Sequence, residues 1–545
     1  MSDSFSPRPV STWIAALFMG AVCAPLLFAQ NAHEDAKFNA LDGAKNDTFG
    51  RACAISGSFA VVGAPLDVHN GVASGSAYVF QNQGGSWVQV AKLVPSDAAA
   101  GDVFGGAVAI DADRVVVGAD SDDDKGPSSG SAYVFRRNSN GTWTQEAKLT
   151  ASDGFNNDYF GSGVAISGDR VAVGAVGDDD GADGAGSVYI FERVSTSWQQ
   201  KTKFTTSDPS YADNMGRAIA LDGDRLVLGS YRDDDLAIDG GAAYVFERQS
   251  NGTWQQRAKL QPSTSANFDY AGYGVALSGD RAVLGVYGSD EGGNDRGHVL
   301  VFERQWNGTW QQKAKLFSND GGSGDRLGYS VGISGSWMVA GAYGNQHMGS
   351  ESGAAYLFER QANGAWSQVG KLTASDASAS DQYGRFLALD GHCAVIGSYL
   401  DDDNGSNSGS AYIVDIGPLL HSKNSVSIAA NGSQTLLLRA GKDWANSGYL
   451  FLGSMSGTSG VSLGAGVVLP LTPDPYTQFC LGGGLPIIGG VGVLDGNGNA
   501  TATFRVPAGT SSAFAGTTLH HAFIAVNPAS GAYMASNAAR VTLTF

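Results

Sequence analysis

Short apolar runs separated by polar, glycine-rich stretches follow one another along most of the chain, and their order repeats. In the stretch 158–204, DYFGSGVAISGDRVAVGAVGDDDGADGAGSVYIFERVSTSWQQKTKF, four strands are predicted: A at 163–166, B at 170–175, C at 187–192 and D at 198–204. Ser167-Gly168-Asp169 makes a tight A–B turn, an aspartate-rich loop joins B to C, and a short turn joins C to D. Other copies write the C–D turn as Asn-Gly-Thr-Trp, at 140–143, 251–254 and 307–310. These are also glycosylation sequons, but hairpin chemistry accounts for them without glycans. Strand B is apolar almost throughout, as expected of a strand covered on both faces.

The unit recurs. Asp47-x-x-Gly50, Asp102-x-x-Gly105, Asp158-x-x-Gly161, Asp213-x-x-Gly216, Asp269-x-x-Gly272, Asp325-x-x-Gly328 and Asp381-x-x-Gly384 place successive glycines 55 or 56 residues apart. Seven four-stranded units, each unable to bury both faces alone, predict an all-β, seven-bladed β-propeller. The seventh unit stops after strand C at 411–414, while AKFNALDGAKNDTFG (36–50) matches AKLTASDGFNNDYFG (147–161) position for position. The N-terminal segment should therefore supply the last blade's fourth strand and close the ring. The propeller is expected over 30–415.

Composition narrows the setting. Abundant glycine (77 residues) fits a turn-rich β protein, and 43% hydrophobic against 16% charged residues excludes a disordered chain. A formal charge of −18 makes nucleic acid and anionic membranes poor partners. The apolar stretch 11–30, with a small residue at Ala29, reads as a signal peptide over 1–29, so the chain is expected to be exported: secreted, periplasmic or at the cell surface. An uncleaved anchor is the other reading of that stretch, and no membrane insertion is expected beyond it. Cys53, Cys393 and Cys480 remain outside it, an odd number without motif spacing, which argues against a disulfide framework.

The segment DTFGRACAISGSFAVVGAP (47–65) carries Phe49-Gly50 and then Gly63-Ala64-Pro65. It resembles the FG-GAP repeat, the unit of the integrin α-subunit head propeller and of many exported bacterial proteins, and the bacterial form is the closer match. The letters are degenerate, with Met215, Ala271, Leu327 or Tyr383 in place of the Phe, but they recur in phase over about 36–415. The resemblance implies a binding propeller, often extracellular, and not an enzyme. Integrin calcium loops lie in the hairpin between the FG and GAP strands. Here that hairpin is as short as Ser278-Gly279-Asp280-Arg281, so those ligands cannot be carried over.

The acids lie one connection later, between strands B and C. Aligned triplets occur at Asp122–Asp124, Asp178–Asp180, Asp233–Asp235 and Asp401–Asp403, and the D-to-A links at 152–158, 207–213 and 375–381 are acidic too. In an up-and-down blade both connections fall on one face, so all these carboxylates should ring one mouth. Alternate oxygens from Asp122 and Asp124, Asp178 and Asp180, Asp233 and Asp235, and Asp401 and Asp403 suit calcium, with Asp183 and Asp239 as further ligands. Blade 5 (Ser289-Asp290-Glu291) is borderline, and blades 1 (Asp67-Val68-His69) and 6 (Asn345-Gln346-His347) are poor candidates. The competing reading is that the aspartates cap turns and hold no ion. Tyr231, Tyr287, Tyr343 and Tyr399, at one position after strand B, form a candidate ligand rim, or else pack between blades.

After Asp415 the composition shifts to Gly, Ala, Ser, Thr and Leu, and predicted strands at 435–439, 449–452, 466–471, 500–506, 522–526 and 540–545 suggest a β-sandwich-like domain over 416–545, for surface attachment or sorting. His520-His521 on one strand point to opposite faces and cannot chelate one ion together. No nucleophile, zinc or phosphate-loop signature is present. A glycoside-active propeller would use mouth carboxylates, and its sialidase form would add mouth arginines. The recurrent Arg114, Arg170, Arg225 and Arg281 begin strand B on the opposite face. The expected function is an exported, non-enzymatic binding or adhesion protein for a protein or glycan. A structural spacer and a secreted glycoside-active enzyme are the alternatives, and the oligomeric state stays open.

Overall fold

The computed structural model describes residues 33–416, apart from 70, 84–85 and 362, and further on Ser447, Leu494 and the strands of the C-terminal region. The expected signal segment and Cys480 lie outside the described residues. Glu34–Asp415 form one compact unit, and the chain beyond it belongs to another. No helix occurs among the described residues.

The first unit is a ring of seven four-stranded sheets in which A, B, C and D are successive neighbours. In blade 3 they are Phe160–Ser167, Arg170–Ala175, Ser187–Val194 and Ser197–Phe204. Strand A begins before the predicted 163 because Phe160 already pairs with Ala175 across a register irregularity. In strand B only the first residue is partly exposed, as burial between neighbouring sheets requires. A bulge between Ile190 and Phe191 bends strand C against D, and the same bulge recurs at Val245/Phe246 and Val301/Phe302. His33–Phe38 is the outer strand of the last blade, paired beside Ser410–Asp415, so the chain's own start closes the ring.

Blades meet through bare backbone. A Cβ on Gly285, the first letter of the GAP position in blade 5, would overlap the carbonyl oxygen of Gly328 in blade 6. The same contact joins Gly63 to Gly105, Gly118 to Gly161, Gly174 to Gly216, Gly229 to Gly272 and Gly341 to Gly384. It also joins Gly397 of the last blade to Gly50 of the first. Phe49 adds a parallel bridge to Gly409 at that closing junction. Apolar clusters then straddle the junctions: Val116 and Val134 of blade 2 pack with Val164, Ile166 and Val171 of blade 3. On the C–D-turn face, arginines reach back one blade, as in Arg304 Nε to Glu247 at 2.6 Å and Arg360 Nε to Glu303 at 2.9 Å.

In the C-terminal region the described strands form two larger sheets and a hairpin of Val461–Gly464 with Val467–Leu469. One orders Leu419–His421, Ser433–Arg439, Asn499–Arg505 and Ile487–Ile488. The other is built around Thr518–Val526, with Gly448–Ser454 on one side and Ala539–Thr544 on the other. His521 is buried with its ring 4.9 Å from that of Phe504.

Gly285→Ala is expected to cost at least about 3 kcal/mol of stability, because a methyl cannot enter a backbone-to-backbone contact without moving a blade. Gly322→Ala, where a Cβ would meet open space, is the control and should leave the thermal midpoint within error. Paired thermal melts decide it.

Candidate binding face

The mouth on the B–C-loop side answers what balances the aspartates. In blade 4, Lys259 projects from strand D (Trp254–Leu260) into the loop, and its Nζ lies 2.7 Å from Asp233, 2.5 Å from Asp235 and 2.8 Å from Asp208. The Tyr244 hydroxyl, from strand C, sits 2.8 Å from both Asp233 and Asp208. Blade 2 repeats the set with Lys148, Asp122, Asp124 and Asp97, and blade 3 with Lys203, Asp178, Asp180 and Asp153. In blade 7 Lys37 arrives from the N-terminal strand and meets Asp376, Asp401 and Asp403 at 2.6, 3.2 and 2.5 Å. Their oxygens lie within 4.8 Å of one another, a spacing that could hold a metal, but Lys37 stands at their point of convergence. The donor set as built is engaged by an ammonium.

Each aspartate of a triplet has its own task. The first is buried, takes the tyrosine and lysine, and accepts the N–H two residues on, as Asp233 Oδ1 does from Asp235 at 3.2 Å. The middle one closes the loop by accepting an N–H five residues later: Asp123 from Ser128 at 2.7 Å, Asp179 from Gly184 at 2.8 Å, Asp402 from Asn407 at 2.8 Å. The third caps the lysine. Asp183 is exposed outside the clamp, and Asp239 faces Arg232 at 3.8 Å. Burial works against the charge of Lys259, but hydrogen bonds and attraction from Asp208, Asp233 and Asp235 outweigh it and raise its pKa. Blade 1 keeps the core of the clamp in Asp67, Asp42, Tyr78 and Lys92. Blade 6 replaces the first acid by Asn345, which donates to Asp325 at 3.0 Å, and a shallow cavity of about 370 Å³ opens beside His347 and Lys371. Blade 5 loses the set together: Ser289 and Leu300 stand for the aspartate and tyrosine and Thr264 for the link acid, while Lys315 pairs with Glu291. His298, buried there, has neither ring nitrogen hydrogen-bonded.

The D-x-x-G aspartates serve the link. Asp213 Oδ2 accepts the Ser210 N–H at 2.7 Å, and Asp47, Asp102, Asp158, Asp269, Asp325 and Asp381 accept the equivalent N–H at 2.6–2.9 Å. Burial, aided by the charge of Asp233 and opposed by the Ser210 bond, pushes Asp213 up to about 7. Its Oδ1 is buried without a partner.

The propeller axis carries a different chemistry. The residue after each D-x-x-G glycine sits at the entry to strand A, the innermost strand, and reads Arg51, Gly106, Ser162, Arg217, Tyr273, Tyr329 and Arg385 around the ring. The four rim tyrosines pack onto this ring. Tyr231 lies 5.1 Å from Tyr273, Tyr287 4.9 Å from Tyr273 and 5.1 Å from Tyr329, and Tyr343 4.7 Å from Tyr329. Arg385 donates to the Tyr399 hydroxyl at 3.0 Å and the Tyr329 hydroxyl at 3.2 Å. The strand-B arginines do lie on the far face, as Arg225 bonding the Gly279 carbonyl at 2.9 Å illustrates. The expectation that the mouth lacks an arginine cluster fails, because the entry to strand A supplies Arg51, Arg217 and Arg385. These three share one repeat position, a signal visible in the alignment of the units but masked by glycine, serine and tyrosine in the other four.

A family model described as FG-GAP repeat matches residues 33–80, 87–135, 143–191, 198–246, 254–302, 310–358 and 366–414. A search among curated proteins returned no match.

Lys259→Met should cost roughly 3 kcal/mol, since it leaves a buried carboxylate without its cation. A lysine whose pKa is raised contributes stability in full below its ordinary 10.5 and loses it as pH rises above that. Melts should therefore decline from about pH 10.5 upward, less steeply in the variant. For Asp213, raised from 3.8 to about 7, the direction is the same in a lower window: folding binds the extra proton, so stability falls as pH climbs from about 4 to about 7. Asp213→Asn should melt higher than the wild type at pH 8 and lose that advantage as the pH approaches 4.

Proposed function

The chain belongs to the FG-GAP repeat family, and from that premise we propose that it is an exported, non-enzymatic binding protein that presents its B–C-loop face to an extracellular protein or glycan. The propeller itself accords with a ligand-binding or structural role, and one observation favours binding. Exposed apolar side chains gather on the mouth side: Leu41, Phe155, Tyr211, Leu236, Ile238, Phe268 and Met348 all stand on B–C loops or D-to-A links. Such exposure costs solubility and marks a surface that meets something. Leu236, Ile238 and Phe268 form the densest part, where the Phe268 N–H bonds the Ile238 carbonyl at 2.7 Å and joins loop to link. A spacer with merely solvated acidic loops would have no use for this dressing.

The family's usual extracellular setting supports export, and among the described residues no helix is long and apolar enough to cross a membrane. Calcium is not needed in this reading, because lysines already sit among the carboxylates that a divalent ion would use. Melting curves in calcium and in chelator are accordingly expected to superimpose.

The test is binding of the full chain to arrays of extracellular proteins and glycans, with two variants alongside. Leu236→Ser/Phe268→Ser should weaken any specific interaction at least about tenfold, the scale of losing a buried apolar anchor. Trp306→Ser, on a C–D turn of the opposite face, should bind like wild type. Binding that followed Trp306 instead, or turnover of glycosides abolished by a single mouth carboxylate substitution, would defeat the proposal.

A further inference from the structure

We propose that the axial cluster of Arg51, Arg217 and Arg385 is a binding site for a single ligand carboxylate. The inference rests on the mouth being the binding face and adds the chemistry recognised at its centre. Its starting point is a failure of charge pairing. The chain has 52 acids against 34 basic residues, and along the clamps and the blade-to-blade ladder lysines and arginines meet carboxylates within 4.0 Å. Among the described residues, none of the three axial guanidiniums forms such a pair.

They are instead set against aromatic faces. Arg51 lies 4.8 Å from the Phe386 ring centroid, Arg217 4.8 Å from that of Tyr273, and Arg385 4.7 Å from that of Tyr343. Ring stacking holds the forks in place, and the terminal nitrogens of Arg385 donate only to neutral oxygens, those of Gln382, Tyr399 and Tyr329. Arg385 Nε is buried with no hydrogen-bond partner. Asp120, just after strand B in blade 2, is a carboxylate whose charge acts together with those of Arg51 and Arg217. The consequence is legible in the neighbours. Burial depresses Arg51, and repulsion from Arg217 depresses it further. Burial alone would raise the Tyr329 hydroxyl, yet Arg385 and Arg217, with hydrogen bonds from Tyr273 and Arg385, hold it below the ordinary tyrosine value. Two hydroxyls, Tyr273 and Tyr329, approach to 2.6 Å in that field.

The shape of the charge selects the ligand. The centre is positive, whereas the clamps of blades 2, 3, 4 and 7 each set three carboxylates against one lysine, as in Asp208, Asp233, Asp235 and Lys259. A polyanion would be repelled by that perimeter, and a dianion would gain less than a planar monoanion that matches the guanidinium fork. Tyrosine rings line the axis on blades 4 to 7, while blade 2 contributes Gly106 and blade 3 contributes Ser162 and Val176. The small side offers the approach.

The carboxylate could be carried on a peptide or on a sugar, and the probes separate these. Thermal shift and calorimetry on the full chain at low salt would use N-acetylglutamate amide, D-glucuronate and inorganic phosphate at millimolar concentrations. At least one carboxylate should raise the melting temperature saturably, phosphate should do so less, and whichever carboxylate binds more tightly identifies its carrier. Arg217→Gln and Arg385→Gln should each weaken that binding at least about tenfold, the loss expected of one charge-assisted contact. Should either fail to fold, Asp120→Asn provides a variant of opposite sign: with the internal anion removed, the carboxylate should bind more tightly. Saturation by phosphate as tight as by the carboxylates, no shift with any probe, or carboxylate binding indifferent to all three substitutions would overturn the assignment. Loss of array binding in Leu236→Ser/Phe268→Ser with carboxylate binding intact would separate the two readings.

Discussion

Backbone meets backbone wherever one blade of this ring touches the next, and every other placement follows from that contact. With Gly285 on Gly328 and its counterparts at the other junctions, the inner strands approach as closely as two main chains can. The approach draws strand A to the axis and turns the residue after each D-x-x-G glycine towards the centre. It also lets valines from successive blades interlock as one apolar layer. The ring needs an end, and the N-terminal strand provides it. Pairing beside Ser410–Asp415 makes the first and last segments of the propeller hold each other, so opening the ring means losing a strand's worth of hydrogen bonds at once.

The aspartate-rich loops solve a folding problem before they solve a functional one. A B–C loop must cross the top of its own blade and meet the incoming link, and it has little apolar surface with which to do so. A buried tyrosine and a lysine from strand D supply the anchor, and three carboxylates satisfy that lysine from two loops at once. Blade 5 shows that the parts form a unit: with Leu300 and Ser289 in place, the partner acid at the link is a threonine as well. An unpaired carboxylate in that setting would bear the full cost of burial, which accounts for the joint loss in blade 5.

What remains for recognition lies between these clamps and the axis. The outer mouth is acidic, its lysines offsetting only part of its carboxylate charge, with apolar side chains exposed on the same loops and links. The centre is an aromatic ring that holds guanidiniums without neutralising them. A ligand meets three different chemistries in passing from rim to axis, and specificity on such a surface comes from matching their order.

The sequence determined the architecture by itself. The 55-to-56-residue period, the apolar strand B, the Asn-Gly turns and the match between 36–50 and 147–161 are local or arithmetic facts, and they require seven blades and a closed ring. It also placed the acidic loops and the four tyrosines on one mouth, since strand alternation alone decides the face. The clamp was not legible, because Lys259 is 24 to 51 residues from its three partners and looks like any solvated lysine on an alternating strand. Nor was the axial cluster: Arg51 and Arg385 stand at opposite ends of the propeller sequence and are brought together only by closure of the ring. Which charges meet depends on distances across blades, and those distances exist only once the glycine contacts have been made.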